Sequence, residues 1–115
     1  MKIEKFEDIV AWQKARVLIL NVYRRMRNCR DFGFKDQLCR AAISIASNIA
    51  EGFERRGDKT FKQYLYIAKG SCAETRSLLS LAATLEHMTN LDANDLFAQA
   101  QEISRILSGL IKTLD

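Results

Sequence analysis

Not one proline interrupts the 115 residues of this chain, and glycine occurs only at Gly33, Gly52, Gly57, Gly70 and Gly109. Turn-dense β architectures need far more punctuation than five glycines can supply. Nucleotide-binding α/β folds need a glycine-rich phosphate loop, and neither the G-x-G-x-x-G nor the G-x-x-x-x-G-K-S/T pattern is present. What remains is an all-α chain. With 48% hydrophobic and 28% charged residues, it has the composition and length of one domain that buries about two-thirds of its unfolded surface.

Periodicity predicts four helices, over about 8–28, 35–54, 59–88 and 92–114. In the first, Ile9, Trp12, Ile19, Val22, Tyr23 and Met26 supply the apolar face. The second places Phe34, Leu38, Ala41, Ile45, Ile49 and Phe53 close to heptad spacing. Asp31-Phe32-Gly33 reads as the break between these two, and Gly57-Asp58 as a stop followed by an N-cap. Thr89-Asn90 breaks the third helix, and Asn90 or Asp92 caps the fourth. That last helix repeats Leu96, Ala100, Ile103, Leu107, Leu110 and Leu114 at strict 4-3-4-3-4 spacing, the seam of a bundle helix. Connections of three to six residues make consecutive helices antiparallel neighbours. The expected architecture is a single-domain, antiparallel up-down-up-down four-helix bundle spanning residues 1–115.

Composition also limits chemistry and compartment. Three cysteines, Cys29, Cys39 and Cys72, have no C-x-x-C spacing and share the chain with one histidine, so neither a zinc site nor a disulfide framework is expected. Free thiols fit a reducing compartment, which points to the cytoplasm. No signal-peptide core precedes the first helix, and Ala41–Ala50, the longest weakly polar run, is too short to span a bilayer. A di-iron bundle requires paired Glu-x-x-His motifs, and His87 has no glutamate three residues before it. Neither Ser71 nor Cys72 has a base in reach, because His87 lies about 22 Å further along the same helix. No metal, cofactor or small-molecule substrate is expected, and no enzyme. His87 reads as a surface or helix-end residue, and Cys39 and Cys72 as small core residues.

Charge is distributed unevenly. Residues 1–76 carry a formal +7 and residues 77–115 a formal −3, an asymmetry that permits an anionic partner. In an up-down-up-down bundle, Lys2, Lys5, Arg55, Arg56, Lys59 and Lys62 converge at one end and form the first candidate for a nucleic-acid surface. Arg24, Arg25, Arg27 and Arg30 form a second basic cluster at the other end, where Asp31, Asp92 and Asp95 offset part of it. Asn48 with Glu74, joined by Glu51 and Ser71, reads as a buried hydrogen-bond network that fixes helix register. Tyr64-Leu65-Tyr66-Ile67-Ala68 is apolar or aromatic all round its helix, so Tyr64, Tyr66 and Trp12 are candidates for a subunit interface.

Three ordered motifs carry a family resemblance: Phe6-x-Asp8-Ile9-x-x-Trp12-Gln13-Lys14-Ala15, then Ser44-Ile45-x-Ser47-Asn48-Ile49-Ala50-Glu51-Gly52, then Tyr64-Leu65-x-Ile67-Ala68-Lys69-Gly70-Ser71-x-x-Glu74. Over nearly its whole length the chain resembles the bacterial four-helix-bundle family named for the 23S rRNA intervening-sequence protein, which is also called a ribosomal protein. It departs from the family pattern at Ala46, where proline is common, and at Ile9, where leucine is common. The family is similar to the accessory variability determinant of diversity-generating retroelements, a pentameric ring of four-helix bundles that works with a reverse transcriptase and nucleic acid. The resemblance therefore implies a homo-oligomer, with a pentamer favoured, and an RNA or an RNA-handling protein as partner. A protein-binding adaptor without nucleic-acid binding is the alternative. No catalytic residue comes with the resemblance.

Overall fold

Hydrophobic periodicity becomes four long helices in the computed structural model, which describes residues 3–115. A 3-10 turn at Phe6–Asp8 leads into α1 (Val10–Arg25), followed by α2 (Phe32–Glu54), α3 (Asp58–Thr84) and α4 (Asn90–Thr113). Each helix packs on its sequence neighbours and α4 closes back on α1, while no Cα atoms of the diagonal pairs come within 8 Å of one another. Side-chain bonds show the directions. Ser44 meets Ser71 and Glu51 meets Tyr64, so α2 and α3 run antiparallel. Lys69 meets Ser108 across α3 and α4, and Lys14 and Arg25 meet Glu102 and Asp92 across α1 and α4. The bundle measures 42 × 20 × 19 Å, its long axis matching the rise of α3.

The helix boundaries differ from the sequence expectation for reasons of capping. Asp31 is the N-cap of α2, its carboxylate accepting from the Phe34 N–H at 3.3 Å, so the helix begins at Phe32 and Gly33 lies in its first turn. Gly57, at φ +119°, occupies the N-cap position of α3, and Asp58 is already helical. The third helix ends at Thr84 and not Met88. There the His87 N–H reaches the Ala82 carbonyl and the Glu86 N–H reaches Ala83, a Schellman closure with Glu86 left-handed at φ 61°. Thr89, and neither Asn90 nor Asp92, caps α4 by accepting from the Asp92 N–H at 3.0 Å.

The core runs the length of the bundle through Leu18, Met26, Leu38, Ile45, Ile49, Leu65, Leu79, Leu96, Ile103 and Leu107, all sealed from water. Two faces are rotated from expectation. On α1 the seam is Ala11, Ala15, Leu18 and Val22, while Trp12 and Ile19 sit at its edge and Tyr23 faces solvent. On α4 the seam holds through Leu107 and then passes to Ile111, leaving Leu110 and Leu114 only partly buried. A straight helix of 3.6 residues per turn drifts about 20° per heptad against a 3.5 repeat, which moves the buried position by one residue.

The tightest approach lies between α2 and α3. Ala41, Ala42, Ala46 and Gly52 on α2 are buried small residues. A Cβ at Gly52 would lie 2.4 Å from the Tyr64 Cβ, a backbone-proximal atom that cannot swing away. Gly52→Ala is therefore expected to destabilise by about 1–3 kcal/mol through overpacking. Gly70→Ala, where nothing lies within 4 Å of the new methyl, should instead stabilise by about 0.5–1 kcal/mol through helix propensity. Denaturant unfolding of the two variants distinguishes them by sign.

One end of the bundle is fastened by Asp31 and His87. The His87 Nε2 lies 3.0 Å from the Asp31 carboxylate, and its ring packs 5.3 Å from the ring of Phe34. The bond from His87, then the Phe34 N–H, holds the Asp31 carboxyl below the usual carboxylate range. A depressed folded value contributes stability that is full above the unfolded carboxylate pKa and is lost as pH falls through the folded one. Asp31→Asn keeps an N-cap but removes the charge, so its melting temperature is expected to fall less steeply than the parent's below about pH 4. Parallel curves for the two proteins across that range would contradict the assignment.

Candidate functional site

Register places the polar motif residues on the outer seam between α2 and α3. The Ser44 and Ser71 hydroxyls lie 2.9 Å apart, and Asn48 Nδ2 donates to the Ser44 carbonyl and hydroxyl at 2.8 and 2.9 Å. Thr75, fully buried, donates to the Ser71 carbonyl at 2.7 Å. Among the described residues no buried side-chain polar atom lacks a partner. The expected Asn48–Glu74 pair does not form. With Ser44 opposite Ser71 and Glu51 opposite Tyr64, Asn48 stands level with Ile67 and Glu74 with Ala41, and Glu74 is exposed to solvent. Ser44, which the network reading omitted, is its hub.

Glu51 closes the seam at its lower end. It accepts from the Arg55 guanidinium at 2.9 Å and from the Tyr64 hydroxyl at 3.1 Å. These two bonds, the arginine's first, hold its carboxyl below the ordinary range. The Arg55 guanidinium also sits 5.4 Å from the centroid of the Tyr64 ring. Tyr64 is thus engaged within its own chain, as is Trp12, whose indole stacks edge-on with Phe6 at 5.3 Å. Of the three interface candidates, Tyr66 alone is freely presented: it is 58% exposed and adjoins Ile67 at 52%.

The two basic clusters differ in how far they are neutralised. At the end formed by the start of α1 and the α2–α3 turn, Arg55 pairs with Glu51 and Lys62 pairs with Asp115. Arg56, left-handed at φ 57°, lays its guanidinium 5.6 Å from the Phe53 ring, and Lys5 and Lys59 are exposed. Lys2 lies outside the described residues. At the opposite end Arg25 pairs with Asp92 at 3.2 Å. Arg24, Arg27 and Arg30 are exposed and form no ion pair among the described residues. Phe32 stands beside them, 71% exposed. The sequence reading treated Phe32 as part of a helix break, and its exposure follows from its place at the first residue of α2.

Cys39 and Cys72 lie in settings that suppress reactivity. Burial pushes the Cys72 thiol up to about 11 and raises that of Cys39 as well, whereas a nucleophilic cysteine needs its pKa lowered. Among the described residues, no three side chains of metal-ligating type converge. Among the described residues, no helix is long and apolar enough to cross a membrane.

Comparison with known proteins agrees with this geometry. No curated protein matches the chain. A crystal structure from Bacteroides thetaiotaomicron, of a protein of unknown function in the S23 ribosomal protein family, superposes with a TM-score of 0.81 at 27% identity. The match covers 90% of this chain and 99% of that one. The family model of the 23S rRNA-intervening sequence protein matches residues 7–109, a span that takes in all three motifs except Phe6 of the first, and all but the end of α4. The chain belongs to the 23S rRNA-intervening sequence protein family.

Proposed function

We propose that this chain is a non-enzymatic binding module that self-associates and holds single-stranded RNA at its arginine-rich end. The observation that carries the RNA reading is the set Arg24, Arg27 and Arg30, exposed and unpaired among the described residues, beside an exposed Phe32. Guanidinium groups bind phosphate oxygens bidentately, and an exposed aromatic ring offers a base a stacking surface. The family's name, which refers to 23S rRNA, supports RNA over other polyanions. The cluster of Lys5, Arg55, Arg56, Lys59 and Lys62 is the weaker candidate, since Arg55 and Lys62 already satisfy carboxylates.

Contact with about three phosphates gives a slope of log affinity against log salt near −2 for a single strand. Arg27→Glu with Arg30→Glu is expected to weaken oligouridine binding at least tenfold, as read by fluorescence anisotropy. Arg56→Glu with Lys59→Glu should leave it within about twofold, a single unmade phosphate contact being the most it forfeits. Loss that follows the second pair moves the site to the other end of the bundle. Binding that ignores both pairs and the salt concentration overturns the RNA reading.

Self-association draws support from the outer face of α3, where Tyr66 and Ile67 stand exposed beside Gly70 and Ala73. Small neighbours let a second helix approach this apolar pair closely. Light scattering at micromolar concentration is expected to give a multiple of 13.1 kDa, with five copies favoured by the family resemblance. Tyr66→Glu with Ile67→Glu should lower that mass. A monomer mass for the parent protein contradicts the assembly.

A further inference from the structure

On α3 and its C-cap, the exposed positions from Gln63 to Leu85 run about 33 Å, six turns, with Glu74 as their one charged residue. The outward face of a solvated bundle helix is ordinarily charged. Here Tyr66, Ile67, Leu81 and Leu85 stand toward its two ends, 46–58% exposed, and Gly70, Ala73, Ser77 and Ser80 fill the middle. The cations of this stretch are engaged with α4 and the C-terminus. Lys62 pairs with Asp115, Lys69 donates to Ser108, and the Arg76 guanidinium lies 6.0 Å from the Phe97 ring centroid.

The α1–α2 face carries a second apolar surface, concave and of opposite charge. A trough of 630 Å³ is lined by Arg16, Val17, Ile19, Leu20, Tyr23 and Ile43, of which Val17, Leu20, Tyr23 and Ile43 are exposed apolar residues. Tyr23 also borders a depression that continues past Cys39 and Lys35 to Phe32. Arg16 is the one charged side chain lining the trough. Neither Arg16 nor Glu74 forms an ion pair among the described residues. The wider charge has the same signs. Residues 16–43 carry a formal +5, whereas residues 77–104, which include one end of the α3 face, carry −4 with no Lys or Arg.

We propose that the outer face of α3 in one copy of the chain seats in the α1–α2 trough of the next, with Glu74 against Arg16. The inference deepens the self-association reading and rests on it. A helix ridge packs into the groove between two others, and small residues in the middle of the α3 face let that ridge sit deep. Glu74 lies at the midpoint of the face. A two-fold pairing of α3 with its own copy therefore sets carboxylate on carboxylate. Trough on trough sets Arg16 beside Arg16 and leaves two concave surfaces unfilled. Of the three pairings, only head-to-tail contact matches opposite charges, and it covers both apolar surfaces at once.

The test mixes two full-length variants, each broken on one surface: Leu20→Glu with Ile43→Glu in the trough, and Ile67→Glu with Leu81→Glu on α3. All four positions are exposed, so both variants should keep the parent melting temperature. Alone, each is expected to fall to the single-chain mass of 13.1 kDa in light scattering. Mixed in equal amounts at high micromolar concentration, they should form a dimer and nothing larger, because one trough and one α3 face remain intact. Within one chain, Arg16→Glu should lower the assembly mass and added Glu74→Arg should restore it. No dimer on mixing, or no rescue by the charge exchange, overturns the pairing. So does a trough variant that keeps the parent mass, which leaves self-association through α3 standing and assigns the trough to a different molecule. A monomeric parent overturns both readings, and phosphatidylserine vesicles retained through Leu20 would then make the trough a lipid-binding surface.

Discussion

The close approach of α2 and α3 is the constraint on which the rest of the bundle depends. Gly52 lets the two backbones meet over Tyr64, and the buried Ala41, three residues before Ser44, lies on the same face of α2. Once that distance is fixed, register follows from side chains that must find one another: Ser44 with Ser71, and Glu51 with Tyr64. A slip along the helices would leave the partly buried hydroxyls unpaired, at a cost of about 1–3 kcal/mol for each buried group. The seam of small and polar residues therefore sets position, while Leu65, Leu79, Ile45 and Ile49 are among the large apolar side chains sealed from water.

Position along α2 and α3 then determines what the outside of the bundle offers. With the polar residues spent on register, the exposed features include Arg24, Arg27 and Arg30, which form no ion pair among the described residues, with Phe32, the Tyr66–Ile67 face and the α1–α2 trough. The Tyr66–Ile67 face of α3 stands apart from the arginine-rich end, so assembly and RNA contact need not compete, whereas the depression beside the trough runs up to Phe32. The buried thiols of Cys39 and Cys72 are held protonated near neutrality.

Much of the fold was legible in the sequence because apolar spacing reports buried faces directly, as Leu96, Ala100, Ile103 and Leu107 do on α4. Two kinds of information were not local. A reader of α1 weights Trp12 and Tyr23 over Ala11 and Ala15, yet the alanines occupy the seam because close packing rewards small side chains. The partner of Asn48 depends on interhelical register: a hairpin pivot at Gly57 sets it level with Tyr66, one residue from the observed Ile67, and Glu74 lies two turns beyond. The basic ends were visible as clusters, but which arginines stay free depends on carboxylates brought from other helices, as with Arg25 and Asp92. The α1–α2 trough has no one-dimensional signature, since Val17, Leu20 and Ile43 meet only when their helices do.

If the α2–α3 seam sets the register of the bundle, it should also be the last part to open. Native-state hydrogen exchange followed residue by residue tests this directly. The slowest amides should lie in Ala41–Gly52 and Leu65–Leu79 and share one opening free energy equal to that of global unfolding. Slower exchange in α1 or α4, with the α2–α3 amides opening first, would contradict the account.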